Sequence, residues 1–444
     1  MCTATIRQVR RLAKLQLAVA ILVILGHQSN GQVGFAPAVN YNVGNRPECI
    51  IAADLNGDRK VALICANALD NTVSVLTNFG NGRFTLASTL SVGRGPYVVV
   101  AADVNGDGKL DLISANAGDN SLSILTNDGN GGFALSSTVS SGGGGTYGLT
   151  AADINGDGKP DLICSCEYAF AVQVLTNDGN GGFALSSTLE LGDYPSPVIS
   201  ADVNGDGKMD LICSHIHGLA VWTNNGSGNF TLSSTPGTGW GPFSVVAADL
   251  SGHGKTDLVT ANFNDNTLSV LTNNGGGEFT AAGTLDVLDQ ATRMGCPNSV
   301  TAADVNGDGR PDLICADLCD GTLMVLTNAG NSCFQLAAIL SVAGGPTSVI
   351  AADLNGDGKP DLASVNNNGT LSVLIATPTL TVAQSSSGVR VSWPSAWTNW
   401  TLLQNPDLTT TNWSATPDIL DDGTNKSINI KNPAGKLFFR LSNP

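Results

Sequence analysis

The chain has 444 residues, and its 37 acidic residues outnumber its 21 lysines and arginines, which gives a formal net charge of −16 at pH 7. This acidic balance, without any basic stretch, excludes nucleic acid as a partner, because phosphate binding needs a positive surface.

The first predicted element is a leader over residues 1–31. Four basic residues lie between Arg7 and Lys14, an apolar run extends from Leu15 to Leu25, and small residues follow. This order is typical of a secretory signal peptide. An uncleaved anchor is the alternative, although the apolar run is short for a membrane span. We therefore expect a secreted, extracellular or cell-surface protein with no membrane span after signal cleavage.

A repeated segment follows over residues 32–376. Variants of the loop Ala-Asp-x-Asn-Gly-Asp-Gly-Lys-x-Asp recur at intervals of 47 to 55 residues. The first aspartates of the seven copies are Asp54, Asp103, Asp153, Asp202, Asp249, Asp304 and Asp353. Each copy contains four short apolar or alternating runs separated by Gly-rich turns, which predicts a four-stranded meander. The sequence thus predicts an all-β, seven-bladed β-propeller. An open solenoid is the alternative, but no capping repeat is visible.

The last copy lacks a fourth strand of its own, because the chain enters different sequence at Pro378. Residues 35–43, which precede the first loop, have the missing pattern. We expect this segment to complete the seventh blade and to close the ring, which removes exposed sheet edges.

The repeated loop also predicts a metal site. Oxygen-bearing side chains stand at positions 1, 3, 5 and 9, and position 7 offers its carbonyl, which suits Ca²⁺. The loop is not an EF-hand, because position 12 is serine or cysteine. A tight turn is the alternative, but it gives no reason for an aspartate at position 9. The predicted ligand residues of the five intact loops are Asp103, Asn105, Asp107, Lys109 and Asp111; Asp153, Asn155, Asp157, Lys159 and Asp161; Asp202, Asn204, Asp206, Lys208 and Asp210; Asp304, Asn306, Asp308, Arg310 and Asp312; and Asp353, Asn355, Asp357, Lys359 and Asp361.

The other two loops are predicted to bind calcium weakly or not at all. The loop at Asp54 has Arg59 in place of glycine and Ala62 in place of the last aspartate, and the loop at Asp249 has serine and histidine at positions 3 and 5. We expect Asp257, the last aspartate of that second loop, to matter less than its counterparts.

The repeats resemble the FG-GAP and VCBS repeat family in their acidic loop, their Phe-initiated strands and an x-Pro step. The prolines of this step are Pro47, Pro96, Pro195, Pro242, Pro297 and Pro346. The resemblance implies a seven-bladed propeller like the head of integrin alpha subunits, with calcium in the blade hairpins and a role in adhesion or ligand binding. Bacterial members of the family are commonly exported.

Residues 377–444 have a different pattern, which predicts a small β-sandwich-like module and resembles C-terminal modules of exported bacterial proteins. It contains Trp393, Trp397, Trp400 and Trp413. Core packing is the favoured explanation for these tryptophans, and an aromatic sugar-binding platform is the alternative.

A candidate ligand face is predicted at the x-Pro side of the ring, where the copies differ most. Ordinary loop variation is the alternative explanation. The residues expected on this face are Tyr97, Tyr147, Tyr168, Phe170, Tyr194, His215, His217, Trp240, Phe263 and Arg293.

Catalytic signals are few, since the chain beyond the leader has three histidines and four glutamates. The leading hypothesis is a monomeric, secreted calcium-binding scaffold for protein or glycan. The alternatives are an extracellular polysaccharide lyase or hydrolase, which needs a basic or carboxylate pair facing the channel, and a purely structural surface protein.

The cysteines give two further expectations. Cys65, Cys164, Cys213 and Cys315 occur in apolar strands and are interpreted as buried small hydrophobes. The candidate disulfides are Cys319 with Cys333, or Cys49 with Cys296, and sequence does not decide the pairing.

Overall fold

The structure is a computed structural model that describes residues 33–287, 295–385, 388–395, 397, 400–405, 411–423, 425–430 and 438–442. The predicted leader and Arg293 lie outside these residues. Within them, no helix has the length and apolarity needed to cross a membrane. Apart from the 3₁₀ turn Glu167–Ala169, all regular structure in this part of the chain is β-strand.

The repeats form seven four-stranded antiparallel sheets in the described residues, here called blades 1 to 7 after their acidic loops. Strand a precedes the loop and strand b follows it. The a strands are Pro47–Ala53, Pro96–Ala102, Thr146–Ala152, Val198–Ala201, Pro242–Ala248, Pro297–Ala303 and Pro346–Ala352. The b strands are Ala62–Asn67, Asp111–Asn116, Asp161–Cys166, Asp210–His215, Asp257–Asn262, Asp312–Asp317 and Asp361–Asn366. The c strands are Thr72–Asn78, Ser121–Asn127, Ala171–Asn177, Gly218–Asn224, Thr267–Gly275, Thr322–Asn328 and Thr370–Leu374. The d strands of blades 1 to 6 are Phe84–Ser91, Phe133–Ser140, Phe183–Glu190, Phe230–Ser234, Glu278–Asp286 and Phe334–Ser341.

Each a strand contacts the a strands of the two neighbouring blades, and the strand of blade 7 contacts that of blade 1, so the a strands form a closed cycle. The b and c strands are almost entirely buried, whereas the d strands alternate between half-buried and exposed positions. The prediction of an all-β propeller is confirmed.

The N-terminal strand Val39–Asn42 completes blade 7. It pairs antiparallel with Thr370–Leu374, and Tyr41 lies opposite Leu371. The strand is shorter than the predicted segment 35–43. Gly34–Phe35 instead pairs with Ala376–Thr377.

The propeller core lies between neighbouring blades. One apolar cluster joins Ile50 and Leu63 of blade 1 to Val365 and Leu371 of blade 7, and equivalent clusters join other neighbours. Because every blade buries both faces of its inner strands in this way, the repeats depend on one another for stability.

The chain divides into two compact units. Of the described residues, the first contains 37–375, and the second contains 33–36 together with those from 376 onward. In the second unit, Thr381–Ser385, Gly388–Pro394, Asn425–Ile430 and Leu420–Asp421 form one sheet, and Ser414–Ala415, Thr401–Asn405 and Phe438–Ser442 form another.

One core cluster in the second unit draws side chains from both of its sheets. Trp393 and Leu402 are buried in it, which is the core role expected of this tryptophan. Trp397 and Trp400 meet edge to face with ring centroids 6.2 Å apart, and the guanidinium of Arg440 lies 4.3 Å from the ring centroid of Trp413.

The cysteine pairing differs from both predicted pairs, because Cys296 forms a disulfide with Cys319. Cys49 is a free thiol. The two partners of the observed bond lie at the start of strand a and in the b–c turn of blade 6, which the alternation of strands places at the same end of that blade. The predicted burial of Cys65, Cys164, Cys213 and Cys315 is confirmed.

Candidate functional site

The acidic loops are built around their first aspartate. In blade 2 the two carboxylate oxygens of Asp103 accept the backbone amides of Gly106, Asp107 and Gly108 at 2.8 to 3.2 Å. Gly108 has a φ of 82°, a left-handed conformation that glycine adopts without strain. The turn residues therefore wrap the backbone around a carboxylate.

The last aspartate of the loop has a structural role that the sequence analysis did not predict. Asp111 is completely buried, and its oxygens accept the backbone amides of Val104 at 3.2 Å and Asn127 at 2.9 Å. Burial raises the pKa of Asp111, the two amides lower it, and the charges of Asp107 and Asp103 raise it. An aspartate at position 9 is thus explained by hydrogen bonding alone, and it is not by itself evidence for a metal.

The same arrangement recurs in the other intact loops, and in blade 6 burial raises the pKa of Asp312 to about 6. It recurs in blade 5 as well, where Asp257 accepts the amides of Leu250, Ser251 and Asn273. Asp257 is therefore as well anchored as Asp111, and the expectation that it matters less concerns metal affinity and stays a prediction.

The blade 1 loop keeps the turn despite its substitutions. Arg59 adopts the left-handed φ of 66° where other copies have glycine, and its amide donates to Asp54 at 2.8 Å. Ala62 offers no carboxylate at position 9, so this loop lacks one acidic oxygen donor of the intact loops.

The donor chemistry of the intact loops fits Ca²⁺. A carboxylate has about four lone-pair sites, and Asp111 uses two of them on backbone amides, which leaves acceptor capacity. Against this, Lys109 Nζ lies 3.5 Å from Asp107 Oδ2 and partly neutralises it. Across the described residues, no three His, Cys, Asp or Glu side chains gather as a metal cluster. Calcium binding therefore remains a prediction and requires the carboxylates to converge further.

Six asparagines at the ends of c strands were missed by the sequence analysis. Each donates its Nδ2 to a carbonyl at position 2 of the preceding blade's loop and to another in its own loop. These clip asparagines are Asn78, Asn127, Asn177, Asn224, Asn273 and Asn328. The sequence signal that could have identified them is the Leu-Thr-Asn or Trp-Thr-Asn that recurs at the end of strand c. Blade 7 has Ile375 and Ala376 at these positions.

The opposite end of the ring, here called the x-Pro face, carries the predicted aromatic residues in contacting pairs. Tyr97 and Tyr147 meet edge to face with ring centroids 4.9 Å apart, as do Phe170 and Tyr194. Tyr168 is 66% exposed. The contacts link blades 2 and 3 and continue toward blade 4.

Trp240 continues this row at the connection between blades 4 and 5. Its ring centroid lies 6.4 Å from that of His217, and the residue is 52% exposed. His215 instead pairs with Asp193, its Nδ1 lying 3.2 Å from Oδ2. The two imidazoles do not share one face of a strand, because strand b ends at His215 and His217 lies in the following turn.

A cavity of about 520 Å³ opens on the x-Pro face, and its lining comes from blades 1, 2, 5, 6 and 7. Phe243 and Phe263 stack at its wall with ring centroids 4.9 Å apart and an interplanar angle of 15°. Tyr97 and Phe263 were predicted on this face, whereas Phe243 was not.

An ion pair also lines this cavity. Arg46 Nε lies 2.5 Å from Glu48 Oε1, and the arginine side chain is 58% exposed while that of the glutamate is 7% exposed. Burial raises the pKa of Glu48, and the charge of Arg46 lowers it. The pair places one guanidinium at the cavity over a buried carboxylate.

A closed ring of four-stranded sheets with an acidic loop in every blade defines this chain as a repeat β-propeller. The chain belongs to the family of FG-GAP-like repeats, whose model matches residues 54–114, 103–164, 202–260, 249–315 and 304–364. No curated protein sequence matches the chain.

Solved structures with similar folds share little sequence with this chain. The crystal structure of BBS1N in complex with ARL6DN has a TM-score of 0.56 at 13% identity and covers 77% of this chain and 96% of the other. A catalytically inactive virginiamycin B lyase from Staphylococcus aureus with quinupristin has a TM-score of 0.52 at 16% identity, with coverage of 77% and 99%. At these identities the likeness shows the fold alone. An Agrocybe aegerita lectin that recognises terminal N-acetylglucosamine has a TM-score of 0.47 at 20% identity, with coverage of 75% and 86%.

Proposed function

We propose that this protein is a secreted, calcium-binding propeller that acts as a binding or adhesion scaffold and recognises a glycan or protein on its x-Pro face. The observation that carries the proposal is the row of exposed aromatic side chains from Tyr168 to Trp240, because exposed aromatic clusters on loops of a rigid scaffold are typical of recognition surfaces. The protein partner in the BBS1N structure is consistent with this use of the fold.

Two features support the secreted part of the proposal. The pattern of residues 1–31 is that of a signal peptide. The Cys296–Cys319 disulfide is also typical of oxidising compartments.

We further propose that the chain consists of a signal peptide over residues 1–31, a propeller domain over 32–376 and a C-terminal module over 377–444, and that the protein is a monomer.

Binding is tested with a glycan array and a panel of extracellular proteins, comparing the wild type with Tyr194→Ala and Trp240→Ala. We expect both variants to keep the wild-type Tm and to lose binding. Phe79→Ala is the matched control, because Phe79 is an exposed aromatic at the c–d turn on the opposite face. Unchanged binding by both variants would contradict the proposed face.

A polysaccharide lyase or hydrolase is the second candidate, and one observation favours it. The sequence hypothesis required a basic or carboxylate pair facing the channel, and the cavity lining supplies one basic and one acidic side chain, Arg46 and Glu48. An absorbance assay for unsaturated uronate products, run on uronate-rich polysaccharides beside a reducing-sugar assay, tests it. Glycan binding without product in either assay removes this candidate.

A further inference from the structure

The cavity on the x-Pro face combines an apolar wall with hydrogen-bond donors and hydrogen-bond acceptors. Phe243 and Phe263 supply the aromatic wall. Asn298 lines the cavity, and its Nδ2 donates to the Thr347 carbonyl, which leaves its Oδ1 as an acceptor. A volume of about 520 Å³ lies within the range of small-ligand sites.

Arg46 is held in this cavity by an unusual backbone conformation. Its φ is 52°, directly before Pro47, whereas blades 2, 3 and 5 have Gly95, Gly145 and Gly241 at the equivalent position with φ of 65° to 70°. A side chain is disfavoured in this region because Cβ crowds the following carbonyl. Strained non-glycine residues concentrate at functional sites, so the arginine is retained here against a local cost.

The charge of the cavity selects among ligands. Arg46 already pairs with Glu48, so the described charged lining is neutral overall. The formal charge of the whole chain is −16, which disfavours an anion at long range. The remaining arginine N–H groups donate and the Asn298 carbonyl accepts. This inventory suits hydroxyl groups, which do both.

We propose that this cavity binds one neutral sugar residue of a glycan. The sugar's apolar face lies against Phe243, and its hydroxyls bond to Arg46 and Asn298. Glu48 is a positioning residue that holds the guanidinium. The inference rests on the proposed function, since it specifies the class of ligand and the position of its binding site on the same x-Pro face.

The test uses the full chain on an array of neutral gluco-, manno-, galacto- and xylo-oligosaccharides beside uronate-bearing oligosaccharides. The cavity variants are Phe243→Ala and the double variant Arg46→Gly with Glu48→Gln, which restores the glycine of other blades and leaves no buried charge. Arg59→Gly is the matched control, because Arg59 has the same left-handed backbone in the acidic loop at the opposite end. Glu48→Gln alone serves if either cavity variant fails to fold.

We expect the wild type to bind neutral oligosaccharides. Both cavity variants should weaken this binding by about tenfold or more, the effect of losing a good hydrogen bond or a stacked ring. The double variant should have a Tm no lower than the wild type, and Arg59→Gly should leave binding unchanged.

Three outcomes overturn the inference. If the cavity variants still bind glycan but Trp240→Ala does not, the binding site is the row of aromatic side chains and not the cavity. The proposed function remains intact in that case. Binding confined to uronate-bearing glycans contradicts a neutral sugar. Binding of no glycan removes the cavity assignment, and the proposed function then stands or falls on the protein panel.

Discussion

Asn127 joins blade 2 to blade 1, its Nδ2 donating to the carbonyl of Leu55 at 2.7 Å and to that of Leu110 at 2.9 Å. Its backbone amide meanwhile donates to the buried carboxylate of Asp111. A single side chain thus ties the acidic loops of two neighbouring blades together.

The Asn127→Ala variant should lose stability because one buried carbonyl and one partly buried carbonyl lose their donor. Each unsatisfied group costs about 1–3 kcal/mol, and we expect a loss of about 2–4 kcal/mol, seen as a lower urea midpoint. Asn130→Ala is the control, since Asn130 is exposed in the following turn. Equal midpoints for the two variants would show that the clip is dispensable.

Calcium removal should lower the Tm if the intact loops are occupied. At a free Ca²⁺ concentration one hundred times the dissociation constant of a site, binding at that site adds roughly 2.7 kcal/mol to the free energy of unfolding, provided that the unfolded chain does not bind Ca²⁺. Thermal melts with Ca²⁺ and with EDTA, together with elemental analysis of the native protein, check this. Absence of bound calcium and identical melts would refute calcium binding.

Asp111→Ala and Asp257→Ala should separate folding from metal binding. Both remove a buried carboxylate that accepts two or more backbone amides, so both should lower the Tm in EDTA. Only Asp111→Ala should reduce the amount of bound calcium, measured by titration calorimetry. An equal loss of calcium from both would contradict the ranking of the loops.

Asp317→Asn should stabilise the protein at neutral pH. Burial raises the pKa of Asp317, and two of the backbone amides that lower it are those of Asp320 and Cys296. The folded state therefore holds this proton more tightly than the unfolded state. The contribution of Asp317 to the stability of the folded state is complete below pH 3.8, the pKa of the unfolded state, and is lost as the pH rises through the higher pKa of the folded state.

The gain of Asp317→Asn over the wild type should consequently be larger at pH 7 than at pH 4. Asparagine occupies the equivalent position in blade 1, where Asn67 donates to Thr72, and Thr322 is paired with Asp317 in blade 6. Melts at the two pH values in EDTA check this. Asp58→Asn, at an exposed loop position, is the control, and an equal gain of Asp317→Asn at the two pH values would contradict the prediction.

Truncation before Gly44 should destabilise the ring by removing Val39–Asn42. This strand covers the edge of Thr370–Leu374, and Tyr41 Oη accepts the amide of Phe84 in blade 1 at 3.2 Å. We expect a lower Tm and aggregation through the uncovered edge. A chain that begins at Pro37 is the control and should keep the Tm of the propeller.

The repeat period and the alternating runs were sufficient to predict the propeller, because each blade is a local meander whose pairings lie close in sequence. The clip asparagines were missed because their partners lie 70 or more residues away, beyond the reach of a loop motif. The hydrogen-bonding role of Asp111 was also missed, because the amide of Asn127 that donates to it comes from another strand.

The cavity was only partly predictable. Tyr97 and Phe263 were expected on the x-Pro face from their place in variable turns, but nothing in the sequence brings Arg46 together with Phe243. Only closure of the ring places blade 1 beside blades 5 and 6 around one opening. The left-handed backbone of Arg46 also has no sequence signature other than the glycines at equivalent positions.

The hydroxyl of Ser372 donates to the side-chain oxygen of Asn40, 332 residues earlier in the chain. During synthesis the segment around Asn40 leaves the ribosome before the first blade, and Ser372 follows only with the seventh, so the circle stays open until all seven repeats have emerged. Six blades can stack in the order in which they are translated, but Val39–Asn42 cannot pair until Thr370–Leu374 has been made. A chain whose synthesis stops earlier would keep an uncovered strand edge.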